Sequence, residues 1–325
     1  MRIVFDIGGT SLRYVKYVDG AVVAQAKEPT PSYKQGHTSE EVNQQLLDAI
    51  ARAIGASPGS IDEIGICYAG PVSASGHIVG SPTIHGTKLA QPYDLQSAVQ
   101  TLTGISRVRV VNDLSAAAYR YIDDYDSFEL VTVSTSVGNK IVIDKQLQLG
   151  SQGLEGELGH VPAFLPSPFS EDISLACSCG FGNNHIGAVS SGSGIADVAA
   201  LLKSKALKES FACSPLAGSK SLSAEEIAAA SAKGDAFACS VIDVCTYPLA
   251  YAICLTLSSL YLEKIVLMGG VIANCPYYYD SLMQNILDIG VYNYSQEHLT
   301  QKVIKGALDD DSGLIGMNCY LDSIS

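Results

Sequence analysis

Apolar and polar positions along the chain follow two alternating rhythms. Arg2–Ile7 is apolar and β-branched, Gly8-Gly9-Thr10 turns the chain, and Leu12–Val18 alternates, so the chain opens as a hairpin. Asp19-Gly20 then feeds a third strand at Ala21–Ala24. Across Ser39–Ile54 the apolar spacing becomes helical, with Val42, Leu46, Leu47, Ile50, Ala53 and Ile54 on one face and Ser39 as the expected cap. Glu63–Tyr68 and Val108–Val111 read as short buried strands. The second strand ends at Asn112-Asp113, ahead of an alanine-rich helix from Leu114.

The same opening then recurs. Leu130–Ser134 and Lys140–Ile143 predict two strands about a turn at Gly138-Asn139. A helix-rich stretch spans Ala224–Leu262, and Lys264–Met268 predicts a buried strand closed by Gly269-Gly270. Each half therefore begins with a turned hairpin and continues as alternating helices and strands. The reading is two α/β domains, 1–115 with a returning helix in 305–325, and 116–304, with a ligand cleft between them. Ser204–Ser223, rich in Ser, Lys and Ala, reads as a surface excursion.

Composition narrows the class. At 325 residues the chain has room for two domains, and 47% hydrophobic with 16% charged residues is a globular balance. The net charge of −13 opposes binding to nucleic-acid phosphates or to an anionic membrane surface. Val244–Leu262 is uncharged and nearly long enough to span a bilayer, but Pro248 and its tyrosines, threonines and serines favour a buried core helix. Nine cysteines in mostly apolar surroundings, and no leader-like apolar run at the start, suggest reduced thiols in a cytoplasmic protein.

Five segments carry candidate chemistry. In Asp6-Ile7-Gly8-Gly9-Thr10 the glycines admit an anion to backbone N–H groups, Thr10 adds a donor, and Asp6 can hold Mg²⁺ through water; a plain hairpin turn is the alternative. Asp113 stands at a strand end where a general base belongs, or it merely caps the helix. Gly150–His160 packs four glycines, two carboxylates and His160 into eleven residues, and Glu157 with His160 suits sugar hydroxyls. His160, Cys177, Cys179 and His185 form a His-x16-Cys-x-Cys-x5-His set that fits tetrahedral zinc, although its Cys pair is closer than a usual knuckle. Gly269-Gly270 could seat a flat purine, or simply turn a strand into a helix.

Taken together and in this order, the motifs resemble the ROK family (repressor, open reading frame, kinase) of the actin-like ATPase superfamily. Tyr68-Ala-Gly70-Pro71-Val72 and Ser81-Pro82-Thr83 are similar to the family's Gly-Pro-Val and Ser-Pro-Asn segments, and Gly156-Glu157-Leu-Gly159-His160 to its Gly-Glu-x-Gly-His segment. The resemblance implies two ribonuclease H-like domains and ATP- and Mg²⁺-dependent phosphorylation of the 6-hydroxyl of a hexose or N-acetylhexosamine, with glucose first and mannose, fructose and N-acetylmannosamine next. Asp113 would be the catalytic base. Gly70, Thr83, Asn112, Asp113, Glu157 and His160 would contact sugar. Asp6, Gly8, Gly9, Thr10, Thr135, Gly269 and Gly270 would contact the nucleotide, and His160, Cys177, Cys179 and His185 would hold structural zinc. A homodimer is also implied. Repressor members carry a DNA-binding domain ahead of the first strand, for which this sequence has no room.

Four departures qualify the resemblance. The second phosphate loop, Ser134–Lys140, keeps Thr135 but lacks several glycines. Asn184 occupies the place of the third zinc cysteine, with His185 one step later, and Gly187 falls where a sugar-binding Glu would stand. Thr83 replaces an Asn. A catalytically weak sugar-binding or regulatory protein is the alternative these departures leave.

Overall fold

The computed structural model describes residues 1–55, 59–86, 88–219 and 221–324. It resolves into two compact units, one of residues 1–124, 146–155 and 309–325, the other of 125–145 and 156–308. Residues 116–124 thus stay with the first unit instead of opening the second, and 146–155 return to it. The reason for the first is local: the Asp113–Tyr119 helix packs on the C-terminal Ser312–Ser323 helix so closely that a Cβ at Gly316 would lie 2.0 Å from the Ala116 carbonyl.

The first unit is built on a five-stranded sheet in the order Ala21–Pro29, Ser11–Val18, Arg2–Ile7, Glu63–Tyr68, Val108–Asn112. The first three strands pair antiparallel and the last three parallel. Strand alternation sends Ile3, Phe5 and Ile7 to one face, where they pack with Val42, Leu46 and Ile50 of the Ser39–Gly55 helix. Val4 and Cys67 face the other way, onto Ala116, Leu314 and Met317. Glu63–Tyr68 is buried along its whole length because helices cover both faces of a central parallel strand. The third strand runs to Pro29, beyond the expected Ala24, held by the ladder from Ser11↔Pro29 to Val18↔Ala21. Thr38, rather than Ser39, caps the first helix: its hydroxyl accepts from Glu41 N at 3.2 Å and Glu41 Oε2 accepts from Thr38 N at 2.8 Å.

In the second unit the strands Val137–Ile143, Phe128–Val133, Lys264–Met268 and Val303–Lys305 lie side by side in that order. The first pair is antiparallel and the others parallel. The turn of this hairpin falls at Ser134–Ser136, where Ser134 N donates to Ser136 O at 2.9 Å. Gly138 and Asn139, expected to turn the chain, are instead inside the ladder opposite Thr132 and Val131. Three consecutive hydroxyl residues end the apolar run and supply the turn that the glycine only suggested. The Ala236–Ser259 helix is long and apolar enough to cross a membrane, yet 67% of its apolar window is buried and it forms the centre of this unit's core. The described residues of Ser204–Ser223 lie mostly at the surface, as expected, but the segment also contains the Lys208–Cys213 helix, whose Phe211 packs on Phe237 with ring centroids 4.9 Å apart.

Candidate functional site

In the first unit the site residues form one contact chain. A Cβ at Gly9 would lie 2.5 Å from Thr83 Cβ, so the glycine turn rests directly on Thr83. Thr83 Oγ1 is 3.4 Å from Ser81 Oγ, which donates to Ala69 O at 2.5 Å. Gly70, at φ +141°, abuts the Gly80 carbonyl, where a Cβ would approach to 2.3 Å. The Gly70 carbonyl in turn accepts from Asn112 Nδ2 at 3.0 Å.

Asn112 also resolves the alternative reading of Asp113. Its Oδ1 accepts from Leu114 N at 3.1 Å and Ser115 N at 3.0 Å, so Asn112 is the helix cap. Asp113 is the first residue of the helix, where the positive end of the helix dipole stabilises its carboxylate. Its Oδ1 accepts from Asn112 Nδ2 and Leu114 N, both at 2.8 Å. These bonds fix the carboxylate at the strand–helix junction.

Gly8 closes the first turn through its N–H to Ser11 O at 3.0 Å, while Thr30 Oγ1 donates to Gly8 O at 2.7 Å. Thr10 is exposed beside it. Asp6 is tied elsewhere: its Oδ2 is 2.5 Å from Arg13 Nη2. Burial pushes the Asp6 carboxyl above its ordinary range and the guanidinium opposes that rise. Arg13 also reaches Asp311 Oδ1 at 3.1 Å and the Asp310 carbonyl. Arg13 carries no signal along the chain, because a charged residue in an alternating strand reads as a solvated face.

The second unit brings three turns together. Ser134 O accepts from Gly192 N at 2.8 Å, Thr135 O accepts from Ser193 Oγ at 2.9 Å, and a Cβ at Gly269 would lie 2.5 Å from Val133 O. Gly269, at φ +102°, starts the Gly270–Asn274 helix against this edge. Thr135 is exposed at the tip. The Gly150–His160 motif is divided: 150–155 belong to the first unit and 156–160 to the second. Gly156–His160 lies flat on Val137–Ile143, with would-be Cβ atoms of Gly156 and Gly159 at 2.0 Å from Asn139 O and 2.1 Å from Val137 O. Glu157 is exposed and His160 part-exposed, with His160 Nε2 3.7 Å from Glu157 Oε2.

His160, Cys177, Cys179 and His185 converge, their ligand atoms all within 4.8 Å of one another. His160 Nδ1 is 3.3 Å from Cys177 Sγ, and Cys179 Sγ is 3.4 Å from His185 Nδ1. Tetrahedral zinc with bonds of about 2.0–2.3 Å has ligand edges of about 3.3–3.8 Å, so two thiols and two imidazoles at these separations fit that ion. Asn184, at φ +52°, explains the one-residue offset. Its side chain turns inward, accepting from Leu175 N and donating to Ile173 O, both at 2.8 Å, and His185 takes the ligand position. At Gly187 a Cβ would sit 3.0 Å from Gly159 O and 3.3 Å from Ser136 Oγ, so a Glu has little room there.

The ROK family model matches residues 2–323. The chain belongs to the ROK family. It is 28% identical over 331 residues to the C(7)-cyclitol 7-kinase of Streptomyces hygroscopicus subsp. limoneus, covering 97% of this chain and 92% of the relative. It is 26% identical over 319 residues to the glucokinase of Aeropyrum pernix, covering 96% and 93%. A solved ROK family glucokinase from Streptomyces griseus, in complex with glucose and AMPPNP, superposes with a TM-score of 0.71 at 23% identity, covering 97% of each chain. As in other ROK sugar kinases, the fold is the two-domain actin-like ATPase fold.

Proposed function

We propose that this ROK-family, ATP-dependent sugar kinase phosphorylates the 6-hydroxyl of a hexose or N-acetylhexosamine, glucose first, with Asp113 taking the hydroxyl proton. The observation that carries the reading is Asp113 itself, relieved of capping by Asn112 and fixed at the helix start. Gly70, Thr83, Asn112, Glu157 and His160 hold the sugar hydroxyls. Gly8, Gly9, Thr10, Thr135, Gly269 and Gly270 receive the nucleotide, and Mg²⁺ accompanies ATP. Asp6 reaches that ion only by sharing its carboxylate with Arg13. The Cys177–Cys179–His160–His185 cluster holds structural zinc. The enzyme acts in the cytoplasm, in line with nine free cysteines. It acts as a homodimer, for which the exposed Phe164, Tyr251 and Leu255 offer an apolar face.

An ADP-release assay over glucose, mannose, fructose, N-acetylmannosamine and a C7-cyclitol tests the reading. Turnover on one hexose or N-acetylhexosamine, with phosphate on its 6-oxygen, is the expected result. Sugar-induced thermal stabilisation without ADP release on any of them would replace it with the sugar-binding alternative.

A further inference from the structure

Glu129 is a carboxylate placed inside a core. It lies in Phe128–Val133, 1% exposed, between Ile141 of one neighbouring strand and Ile265 of the other. Its Oε1 accepts from Asn139 Nδ2 at 2.6 Å. Asn139 is itself 7% exposed. The amide's other end is also engaged: Asn139 Oδ1 accepts from Leu158 N at 3.3 Å, and Asn139 N donates to Gly156 O at 3.1 Å. A chain of hydrogen bonds therefore runs from a buried acid to the backbone of the segment bearing Glu157 and His160.

We propose that Glu129 and Asn139 are positioning residues for the sugar site, the ionised Glu129 orienting the Asn139 amide so that its oxygen holds the Leu158 N–H and sets Glu157 and His160. This rests on the reading of those two residues as sugar contacts. The orientation follows from what each group can do. A carboxylate only accepts and a backbone N–H only donates, so the amide nitrogen must face Glu129 and its oxygen Leu158. A protonated Glu129 offers a donor instead. The amide can then turn its oxygen inward, leaving NH₂ against the Leu158 N–H, and the tie is lost.

Burial pushes Glu129 up to about 7, against the lowering pull of Asn139 and Thr256. The change of state therefore falls near neutrality: ionised and tied above it, protonated and loose below. The charged residues of the three elements packed on Glu129 are Lys140, Lys264 and Asp243. Lys140 and Lys264 stand one residue off its register, on the opposite sheet face, and Asp243 is about three and a half turns of helix before Thr256. Cys245 and Cys254 of that helix are pushed up by burial and are uncharged at these pH values.

The test is sugar KM and kcat from pH 5.5 to 8.5 for wild type, E129Q and N139G. Wild-type KM is expected to rise about three- to tenfold as pH falls through 7, with kcat moving less, as for loss of one hydrogen bond. E129Q should lose that step, and N139G should keep a high KM throughout. Because either variant can fold poorly, the Leu158 amide resonance provides a second readout, expected to titrate near pH 7 in wild type and not in E129Q. Absence of turnover on every sugar would defeat the kinase reading while leaving the Leu158 titration to decide the pair. An unchanged KM step in E129Q, or a Leu158 amide indifferent to pH, overturns the proposal.

Discussion

The two hairpins that open the two units meet the same demand with different residues. In the first, Gly8-Gly9-Thr10 turns the chain, and Gly9 leaves so little space that a Cβ would strike Thr83. In the second, Ser134-Thr135-Ser136 turns it, and the close approaches move to partners: Gly192 against Ser134 O and Gly269 against Val133 O. The strand positions thereby released carry Asn139 and Lys140. Backbone access can be supplied by the turn itself or by the neighbours that pack on it, and a glycine count within one loop does not measure it.

The comparison is tested most strongly on the side that carries chemistry. Asp113→Asn should lower kcat by about 10²–10⁴ while leaving the helix formed, because Asn112 keeps the cap; ADP release and thermal unfolding measured together check both halves. Unchanged turnover would remove Asp113 as the base.

On the other side, His185→Ala should reduce bound zinc from about one per chain to none by elemental analysis of untagged protein. Loss of a structural metal of this kind removes several kcal/mol of stability. Metal-free wild type with full activity would end the zinc assignment.

Gly9→Ala and Ser136→Gly set the two turns against each other. The first should destabilise by about 1–3 kcal/mol, the usual result of overpacking, and raise the KM for ATP. The second should move that KM by less than about threefold, because the clearance there belongs to Gly192 and Gly269. A large gain in ATP use by Ser136→Gly would instead show a loop impaired by its missing glycines.

Stability against pH should change as well. Glu129 has an ordinary value of 4.5 and a folded value of about 7, so its contribution to folding is complete below 4.5 and is lost as pH rises to about 7. E129Q should therefore unfold at a higher temperature than wild type at pH 8, and the gap should close toward pH 5. Equal melting curves at both pH values would contradict the burial of this charge.

Much of this was legible along the chain. The first hairpin, the parallel strands at Glu63–Tyr68 and Lys264–Met268, and the buried Ala236–Ser259 helix follow from period-2 and period-3.6 patterns, which record the faces that must leave water. The four-residue cluster was legible as well, because metal ligands are rare residue types and their combination is conspicuous even when their spacing is not standard. Where turns fall was less so: Gly138 suggested one, yet a backbone hydrogen bond from Ser134 N to Ser136 O, a few residues earlier, made it. The division of Gly150–His160 between units, the Arg13 hold on Asp6 and the Glu129–Asn139–Leu158 chain left no local mark. Each is a pairing between residues distant in the chain or set on neighbouring strands, and such pairings are decided when strand register and close backbone approach are settled together. The sequence by itself determined which faces are buried and which residues can do chemistry; only the tertiary structure decided which of those residues hold one another, because hydrophobic burial is non-directional while hydrogen bonds and ion pairs require a particular geometry.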